Sequence, residues 1–337
     1  SVAGLNIRVG DEVVPASTLQ SAFADLLGMA AGEGEDSFLD FGNLGVFLQG
    51  DIDFAERDES VARSGYEFDI WALTAGADYR VSDNLYAGAA VSVGEADIDF
   101  AGNGGESDLD NWVVSTYGGW QITENWYSDF MVSYGETDYS TVRRVNYSDA
   151  GGDFAAENLS DTSGDQLYVG FNTGYEFRRD GWRFGPTASL YYLDGSIDGY
   201  SERAGRQTDG AWLFDVDKQD YESLRLSIGV QADYAIKTGF GVLIPNVRIL
   251  HVTEAKENAE DIGLRLSNNP FGEMDLATEG MFIEGQAVDD QFLDLGVGIS
   301  GQFIMGFSGF FDYHFYESFK GLSRDGYSFG LRWDKPF

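Results

Sequence analysis

The sequence predicts an all-β fold, a 12-stranded antiparallel transmembrane β-barrel with an N-terminal α-helix directly before its first strand. Apolar and polar residues alternate with a period of two along twelve segments, which places the two kinds of side chain on opposite faces of each strand. The connections between the segments alternate between short and long, as at the two ends of a membrane barrel. Tryptophans lie near the segment ends, where such a barrel carries its aromatic girdles.

Composition narrows the classes of protein that this chain could be. Its 337 residues carry 57 acidic and 21 basic side chains, for a formal net charge of −36. Nucleic-acid binding depends on Lys and Arg that neutralise phosphates, so we expect no nucleic-acid partner. The chain has no cysteine, which excludes disulfide bonds and thiolate metal sites. We expect no cofactor and no metal site.

One segment, close to the N-terminus, has helical spacing. In "PASTLQSAFADLLGMAAGEG", Leu19, Phe23 and Leu26 recur at intervals of three and four residues. Pro15 precedes this segment and glycines follow it, as at the two ends of a helix. The sequence therefore predicts a helix over 16–31, directly before the first strand.

The twelve segments with a period of two follow this helix. They cover approximately 40–53, 66–80, 84–99, 109–121, 125–139, 165–178, 182–195, 221–236, 240–253, 291–303, 307–318 and 325–337. Short turns such as "VSDN" and "KTG" alternate with long connections at 54–65, 100–108, 140–164, 196–220 and 254–290. A β-sandwich has no reason to alternate its loops in this way, whereas a membrane barrel has short periplasmic turns and long external loops.

The tryptophans mark two levels along the strands. Trp120, Trp126, Trp182 and Trp333 lie at short-turn ends, and Trp71 and Trp112 lie at the opposite ends. Trp112 and Trp120 share one face of a strand and are about 26 Å apart along it, or roughly 19 Å of membrane depth at a tilt of about 45°. Two aromatic girdles that bracket hydrocarbon have this separation.

The last strand shows the alternation clearly. In "DGYSFGLRWDKPF", large apolar residues alternate with small or polar ones, and the chain ends on Phe337. We expect Phe329, Leu331 and Trp333 to face lipid while Arg332 faces the lumen. Together with these three residues, Phe337 resembles the C-terminal aromatic signal by which outer-membrane barrels are recognised for insertion.

Several stretches resemble the translocator domain of type V autotransporters. "YEFDIWALTAGADYRVSDNLYAGAAVSVGEADIDF" resembles the second and third strands of that family, and "GPTASLYYLDGSIDGYSE" resembles its proline-bearing seventh strand. "LIPNVRILHVTEAKEN" resembles the strand in which proline precedes a basic residue and a histidine. The C-terminal phenylalanine completes the set, and the resemblance covers about residues 39–337.

The resemblance implies a function in protein secretion. The family has an α-helix running through its barrel, so residues 1–15 are expected to be a passenger remnant or linker, 16–34 the pore helix and linker, and 35–337 the outer-membrane barrel. The barrel would export or display an N-terminal passenger in a Gram-negative outer membrane, with its long loops outside. Its implied partners are outer-membrane lipid and lipopolysaccharide, the barrel assembly machinery, and the passenger or a surface protein. Cleavage between two asparagines of the helix is not expected, because this helix has none.

Charged residues at lumen-facing positions form the candidate site. They are Arg225, Arg248, Arg332, Asp233, Asp294 and Asp312. Such charges would be costly in a dry core, but in a polar barrel interior they can pair across the wall and hold a plug helix. On the helix, Gln20 and Asp25 are expected to meet lumenal arginines. Leu19, Phe23 and Leu26 are expected to pack on lumenal aromatics such as Tyr86 and Tyr168. Ion pairs across the wall without a role in transport are the alternative.

We expect no catalytic activity from the barrel. His251 has lipid-facing and His314 lumen-facing parity, and no nucleophile elbow accompanies them. "DVDKQD" at 215–220 spaces its carboxylates loosely like a calcium loop but lacks the glycine and distal glutamate of an EF-hand. Two alternatives to secretion stay open: a barrel that anchors a surface protein assembly through its long acidic loops, chiefly 254–290, and a porin-like channel.

Overall fold

The computed structural model of the chain describes residues 6–9, 12–15, 44–57, 65–149, 152–205, 212–258, 262–267, 281–283, 291–303, 307–318 and 322–334. Within these residues, twelve strands form the wall of a closed antiparallel barrel. They are β1 Leu44–Arg57, β2 Tyr66–Ser82, β3 Leu85–Phe100, β4 Gly105–Gln121, β5 Trp126–Asp149, β6 Gly152–Tyr175, β7 Trp182–Ile197, β8 Gln219–Tyr234, β9 Gly241–Asn258, β10 Gln291–Phe303, β11 Phe307–Ser318 and β12 Leu322–Asp334. The predicted strand number and closure are confirmed.

The barrel closes where β12 pairs with β1. The register runs from Leu322 opposite Arg57 to Asp334 opposite Gly45. Because β1 begins and β12 ends at the end of the barrel that carries the short turns, both ends of the wall lie there. Closure leaves no strand edge open to lipid, where an unpaired backbone group would be costly.

Shorter elements lie at the two rims. A hairpin of Asn6–Val9 and Glu12–Pro15 precedes the wall, a 3-10 helix covers Ala101–Asn103, and the strands Phe177–Arg179 and Ile236–Lys237 lie in short turns. At the long-connection end, Tyr200–Ser201, Phe214–Val216, Ile262–Leu266 and Met281–Ile283 form a separate four-stranded sheet, and Arg203–Ala204 pairs with β6. No helix in the described part of the chain is long and apolar enough to cross a membrane.

The outer face of the wall is apolar, as the alternation predicts. On β3, Val91 and Val93 are exposed while Ala90 and Ser92 between and beside them are buried. The six tryptophans of the predicted girdles are also exposed on the outer face. These exposed apolar residues form the surface that faces lipid.

The strands run further than the sequence predicts at the long-connection end. The predicted loop 140–164 is mostly strand, because β5 and β6 are each 24 residues long and stay paired as far as Asp149 opposite Gly152. Beyond the level of Trp112 the outer face is acidic, with Asp108 directly opposite Asp97. Burial, and then neighbouring carboxylates, raise the pKa of Asp108. Beyond the membrane the strands stay hydrogen-bonded to their neighbours, although neither face has to be apolar in water. The apolar–polar alternation in the sequence therefore ends before the strands do.

Candidate functional site in the lumen

The structure places the charged residues of the predicted lumenal set on the inner face of the wall. Three close pairs join neighbouring strands: Arg225–Glu254 at 3.6 Å, Arg248–Asp294 at 3.9 Å and Arg183–Asp233 at 2.9 Å. Asp312 instead accepts a hydrogen bond from Asn246 Nδ2 at 3.2 Å. The predicted residues are therefore distributed around the wall in pairs and do not form one cluster.

Arg332 forms a two-pronged ion pair with Asp78 on β2. Its Nη1 and Nη2 lie 2.6 and 2.7 Å from the two carboxylate oxygens of Asp78. Tyr117 on β4 donates a third hydrogen bond to Asp78 Oδ2 at 3.1 Å. Such paired guanidinium–carboxylate bonds are directional and stronger than hydrogen bonds between neutral groups. This contact links β12 to β2 across the intervening strand β1.

A second charged contact lies on the same side of the barrel, around Asp53 of β1. Its Oδ1 lies 2.9 Å from His314 Nε2 of β11 and accepts a hydrogen bond from Arg324 Nε of β12 at 3.0 Å. The side chains of Asp53 and His314 are 0% and 1% exposed. A buried carboxylate needs such partners, because an unpaired charge in this position would be strongly destabilising.

Glycines leave room for these long side chains. Gly326 lies between His314 and Asp53 in the sheet, and a Cβ there would be 2.0 Å from His314 Nε2. Gly298 lies in the same way beside Asp312, whose Oδ1 would be 1.5 Å from an added Cβ. Any larger residue at either position would push the polar side chain off its partner.

Aromatic side chains line other parts of the inner surface. Near the short-turn end, Tyr117 packs edge-on against Phe47 at 6.0 Å and lies 6.4 Å from Tyr86. Further along, Tyr168 stacks on Tyr191 with ring centroids 5.7 Å apart. Tyr86 and Tyr168 are the tyrosines on which the predicted helix was expected to pack, and both lie on the inner face.

Toward the long-connection end, the inner face of β2 to β8 carries a packed group of apolar and aromatic side chains. Five of its fully buried members, called here the apolar cluster, are Phe68, Ile70, Ile98, Leu109 and Ile197. The inner face of β9 to β12 and β1, called here the polar wall, contributes at least one residue to every charged contact described above except Arg183–Asp233. The inner surface thus combines a packed apolar group with a wall of hydrogen-bonded charge.

The connection between β7 and β8 folds back onto the wall and forms a cap. Arg143 of β5 donates two hydrogen bonds of 2.6 Å to Glu202 and a third of 2.6 Å to the Trp212 carbonyl oxygen. Its guanidinium also lies 4.9 Å from the centre of the Phe214 ring. Tyr200 packs against the cluster of buried residues inside the barrel. Burial, and then the Glu202 carboxylate, raise the pKa of Tyr200.

The acidic stretch 215–220 pairs with cations of the protein. Asp217 lies 2.6 Å from Arg265, and Asp220 lies 3.1 Å from Lys218. Among the described residues no group of three or more His, Asp or Glu side chains could hold a metal ion. His251 faces outward and His314 faces the lumen, as their parity predicts.

The residues of the predicted plug lie outside the described part of the chain. They are Leu19, Gln20, Phe23, Asp25 and Leu26, and the terminal Phe337 also lies outside it. The other residues of the predicted assembly signal, Phe329, Leu331 and Trp333, are 46%, 68% and 38% exposed on the outer face. Phe329 lies directly opposite Gly50 of β1. Part of this signal therefore sits on the outer side of the junction that closes the barrel.

Sequence reasoning did not identify Asp53, Asp78 or Arg143 as residues of the site. Asp53 and Asp78 occupy inward positions on strands whose outward positions are apolar, and this signal could have found them. Arg143 carried no such signal, because it lies in a stretch that was predicted to be a loop. Its role depends on a partner, Glu202, that is distant in sequence.

Comparison with known proteins relates this chain to autotransporters. The family model described as "Autotransporter beta-domain" matches residues 46–314. Curated relatives include the esterase EstA of Pseudomonas aeruginosa, 23% identical over 252 residues, and an uncharacterised protein of the trpE-trpG intergenic region of Pseudomonas putida, 25% identical over 230 residues. The matches cover 74% and 64% of this chain, but 36% of the length of each relative.

Solved structures show the same architecture. The translocator domain of the autotransporter NalP from Neisseria meningitidis has a TM-score of 0.68 and 16% identity, over 94% of this chain and 97% of that one. The β-domain of the Bordetella autotransporter BrkA has a TM-score of 0.59 and 15% identity, over 87% and 99%. The family model matches most of the barrel wall, and the likeness in fold to these two structures agrees with it. Together they identify the family. The chain belongs to the autotransporter β-domain family and forms a translocator or anchor barrel of the Gram-negative outer membrane.

Proposed function

We propose that this barrel exports or displays a polypeptide that lies N-terminal to it in the full protein, and that this polypeptide passes through the lumen. The observation that supports it best is the position of the two ends of the wall. Gly45 of β1 lies opposite Asp334 of β12 at the short-turn end. Since short turns face the periplasm, a segment that precedes β1 reaches the outside only by crossing the barrel.

The same geometry supports the predicted plug as part of this proposal. Residues 16–34 directly precede the wall and form the pore helix and linker, residues 1–15 are passenger remnant or linker, and the barrel begins near residue 35. Gln20 and Asp25 meet lumenal arginines such as Arg225 and Arg248. The apolar residues of the helix, Leu19, Phe23 and Leu26, pack on inner-face tyrosines.

Catalysis, where the full protein has it, belongs to the exported part and not to the barrel. One relative is an esterase, and the match covers 36% of its length, so most of that protein lies outside the matched region. In the barrel itself, His314 Nε2 is engaged by Asp53 inside the wall. That arrangement supports a structural function for the histidine.

The outer face supports the expected partners. A band of exposed apolar side chains between two tryptophan levels suits outer-membrane lipid, with lipopolysaccharide at the outer level. Phe329, Leu331, Trp333 and Phe337 are the residues through which the barrel assembly machinery would engage the last strand.

A second candidate function is the anchoring of a surface protein assembly. The four-stranded sheet formed by the β7–β8 and β9–β10 connections favours it, because a folded external platform offers a contact surface. The buried Arg143–Glu202 pair fixes part of this platform to the wall. Display of a passenger and contact through this sheet are compatible.

Epitope accessibility on intact cells tests the direction of export. One tag precedes Ser1, behind a signal peptide, and control tags lie in the short turn at 235–240 and in the connection at 206–211. We expect antibody to label intact cells through the N-terminal and 206–211 tags. The 235–240 tag should need permeabilisation of the outer membrane. An N-terminal tag that behaves like the 235–240 tag would overturn the proposal.

A further inference from the structure

The junction of β12 and β1 joins the two strands of the wall that are furthest apart in sequence. No short turn connects them, so the backbone ladder alone holds the main chain together there. Ordering two segments that are separated by so long a loop costs chain entropy. The β12–β1 junction is called here the seam. Side-chain contacts across the seam can offset part of this entropic cost.

Two charged contacts cross the seam, and each reaches past a strand. His314 of β11 extends over Gly326 of β12 to Asp53 of β1, and Arg324 of β12 bonds the same carboxylate oxygen. Both bonds end on the strand that follows the seam. Arg324 also lies 5.2 Å from the ring of Tyr316 on β11, so its guanidinium contacts side chains of both strands that flank β12.

The other contact lies toward the short-turn end. Arg332 of β12 reaches past β1 to Asp78 of β2, with Tyr117 of β4 as the third partner. Arg324 and Arg332 are eight residues apart on β12, or about 26 Å along the strand at the usual rise. The two contacts thus hold the seam near both of its ends.

We propose that Asp53–His314–Arg324 and Asp78–Arg332 form a seam lock, a pair of lumenal clamps that keep β12 joined to β1. A contact that spans three strands resists separation of either strand pair beneath it, which a bond between neighbours does not. Charge-assisted bonds of this kind are strong where water is sparse. The lock concerns closure of the barrel, so it stands independently of whether the barrel exports a passenger.

The test compares loss of the two carboxylates of the lock with loss of a lumenal carboxylate that is paired away from the seam. Asp53→Asn together with Asp78→Asn weakens the lock, while the matched control Asp233→Asn weakens the Arg183 pair between β7 and β8, away from the seam. Because the chain has no cysteine, an introduced pair at Leu48 and Leu331, which face each other across the seam, can close it covalently. A pair at Val91 and Val114 does the same between β3 and β4.

The measurement is the temperature at which the folded band is lost in unboiled detergent gels, for each protein with its cysteine pair oxidised and reduced. With the Leu48/Leu331 cysteine pair reduced, we expect Asp53→Asn/Asp78→Asn to lose its folded band about 5 to 15 °C below the protein without these two substitutions. Oxidation of that cysteine pair should restore most of the difference. Oxidation at the seam should raise this temperature much less in Asp233→Asn. Oxidation of the Val91/Val114 cysteine pair should raise it equally in both variants. Equal recovery in the two variants, or no recovery at the seam, would overturn the proposal. Should the double variant fail to fold, Asp78→Asn alone carries the same comparison.

Discussion

The apolar cluster and the polar wall face one lumen but are built from different residues. Ile98, Leu109 and Ile197 pack against other apolar side chains, whereas Asp53, Arg332 and their partners are held by charged hydrogen bonds. The apolar cluster lies in strands joined consecutively by connections, and the polar wall contains the seam. Hydrocarbon packing holds the apolar cluster together, and directional charged bonds hold the polar wall, including the seam at which the barrel closes.

The largest expected effect is on the apolar cluster. Ile98→Asp buries a carboxylate without a partner and should destabilise the barrel by about 4 to 5 kcal/mol, enough to reduce the folded band in unboiled gels strongly. The control Ile98→Val keeps the shape and should cost about 0.5 to 1.5 kcal/mol. If both variants fold equally well, the cluster is not a packed apolar core.

The cap offers the next comparison, since it is charged but lies beside the apolar cluster. Arg143→Met leaves Glu202 buried without its cation and should cost roughly 3 to 5 kcal/mol locally. Limited proteolysis should then cut the β7–β8 connection much faster. The exposed pair Arg265–Asp217 supplies the control, because Arg265→Gln should change this rate little. A cap that stays resistant in Arg143→Met would mean that the pair does not hold it.

Substitutions on β10 test which side chains of the polar wall point to lipid and which point to the lumen. Val297→Arg places a charge in hydrocarbon and should cost about 2 to 4 kcal/mol near the midplane, as measured by urea unfolding from lipid vesicles. Its inward neighbour Gly296 has space, since an added Cβ would meet Arg248 at 3.7 Å, so Gly296→Ser should be tolerated. Equal costs at the two positions would contradict the assigned faces.

A smaller effect is expected from pH at the cap. The unfolded chain releases the Tyr200 proton near pH 10, whereas burial keeps the proton on in the folded state to higher pH. The folded state then binds more protons than the unfolded state above pH 10, so stability falls as pH rises. Between pH 9 and pH 11 the unfolding temperature should drop further in the native protein than in Tyr200→Phe. Identical drops would show that Tyr200 contributes nothing to the pH dependence.

Much of the wall could be predicted from the sequence, for a physical reason. Lipid demands an apolar residue at every second position, so the strands between the tryptophan levels carry a strong signal, as β12 does with Phe329, Leu331 and Trp333. Outside the membrane that demand disappears, and the outer halves of β5 and β6 were predicted as loop. Strand length beyond the bilayer is decided by cross-strand pairing, which a single sequence does not display.

The lumen was predictable by position but not by partner. Parity placed Arg225, Arg248 and Arg332 on the inner face, yet the partner of Arg332 is Asp78, two strands away across the seam. Glycine explains part of the difficulty, because Gly326 opens a path for His314 to Asp53 that sequence spacing does not reveal. Contacts that skip a strand depend on the three-dimensional arrangement of three strands at once.

Single-channel conductance in planar bilayers tests the central claim, that the segment before β1 occupies the lumen. We predict that deletion of residues 1–34 leaves a folded barrel with markedly raised conductance, and that Asp25→Arg raises conductance partway by opposing the lumenal arginines. Heat-modifiable migration controls for folding of each variant. Unchanged conductance in the folded deletion variant would contradict the account, because the segment would then lie outside the lumen.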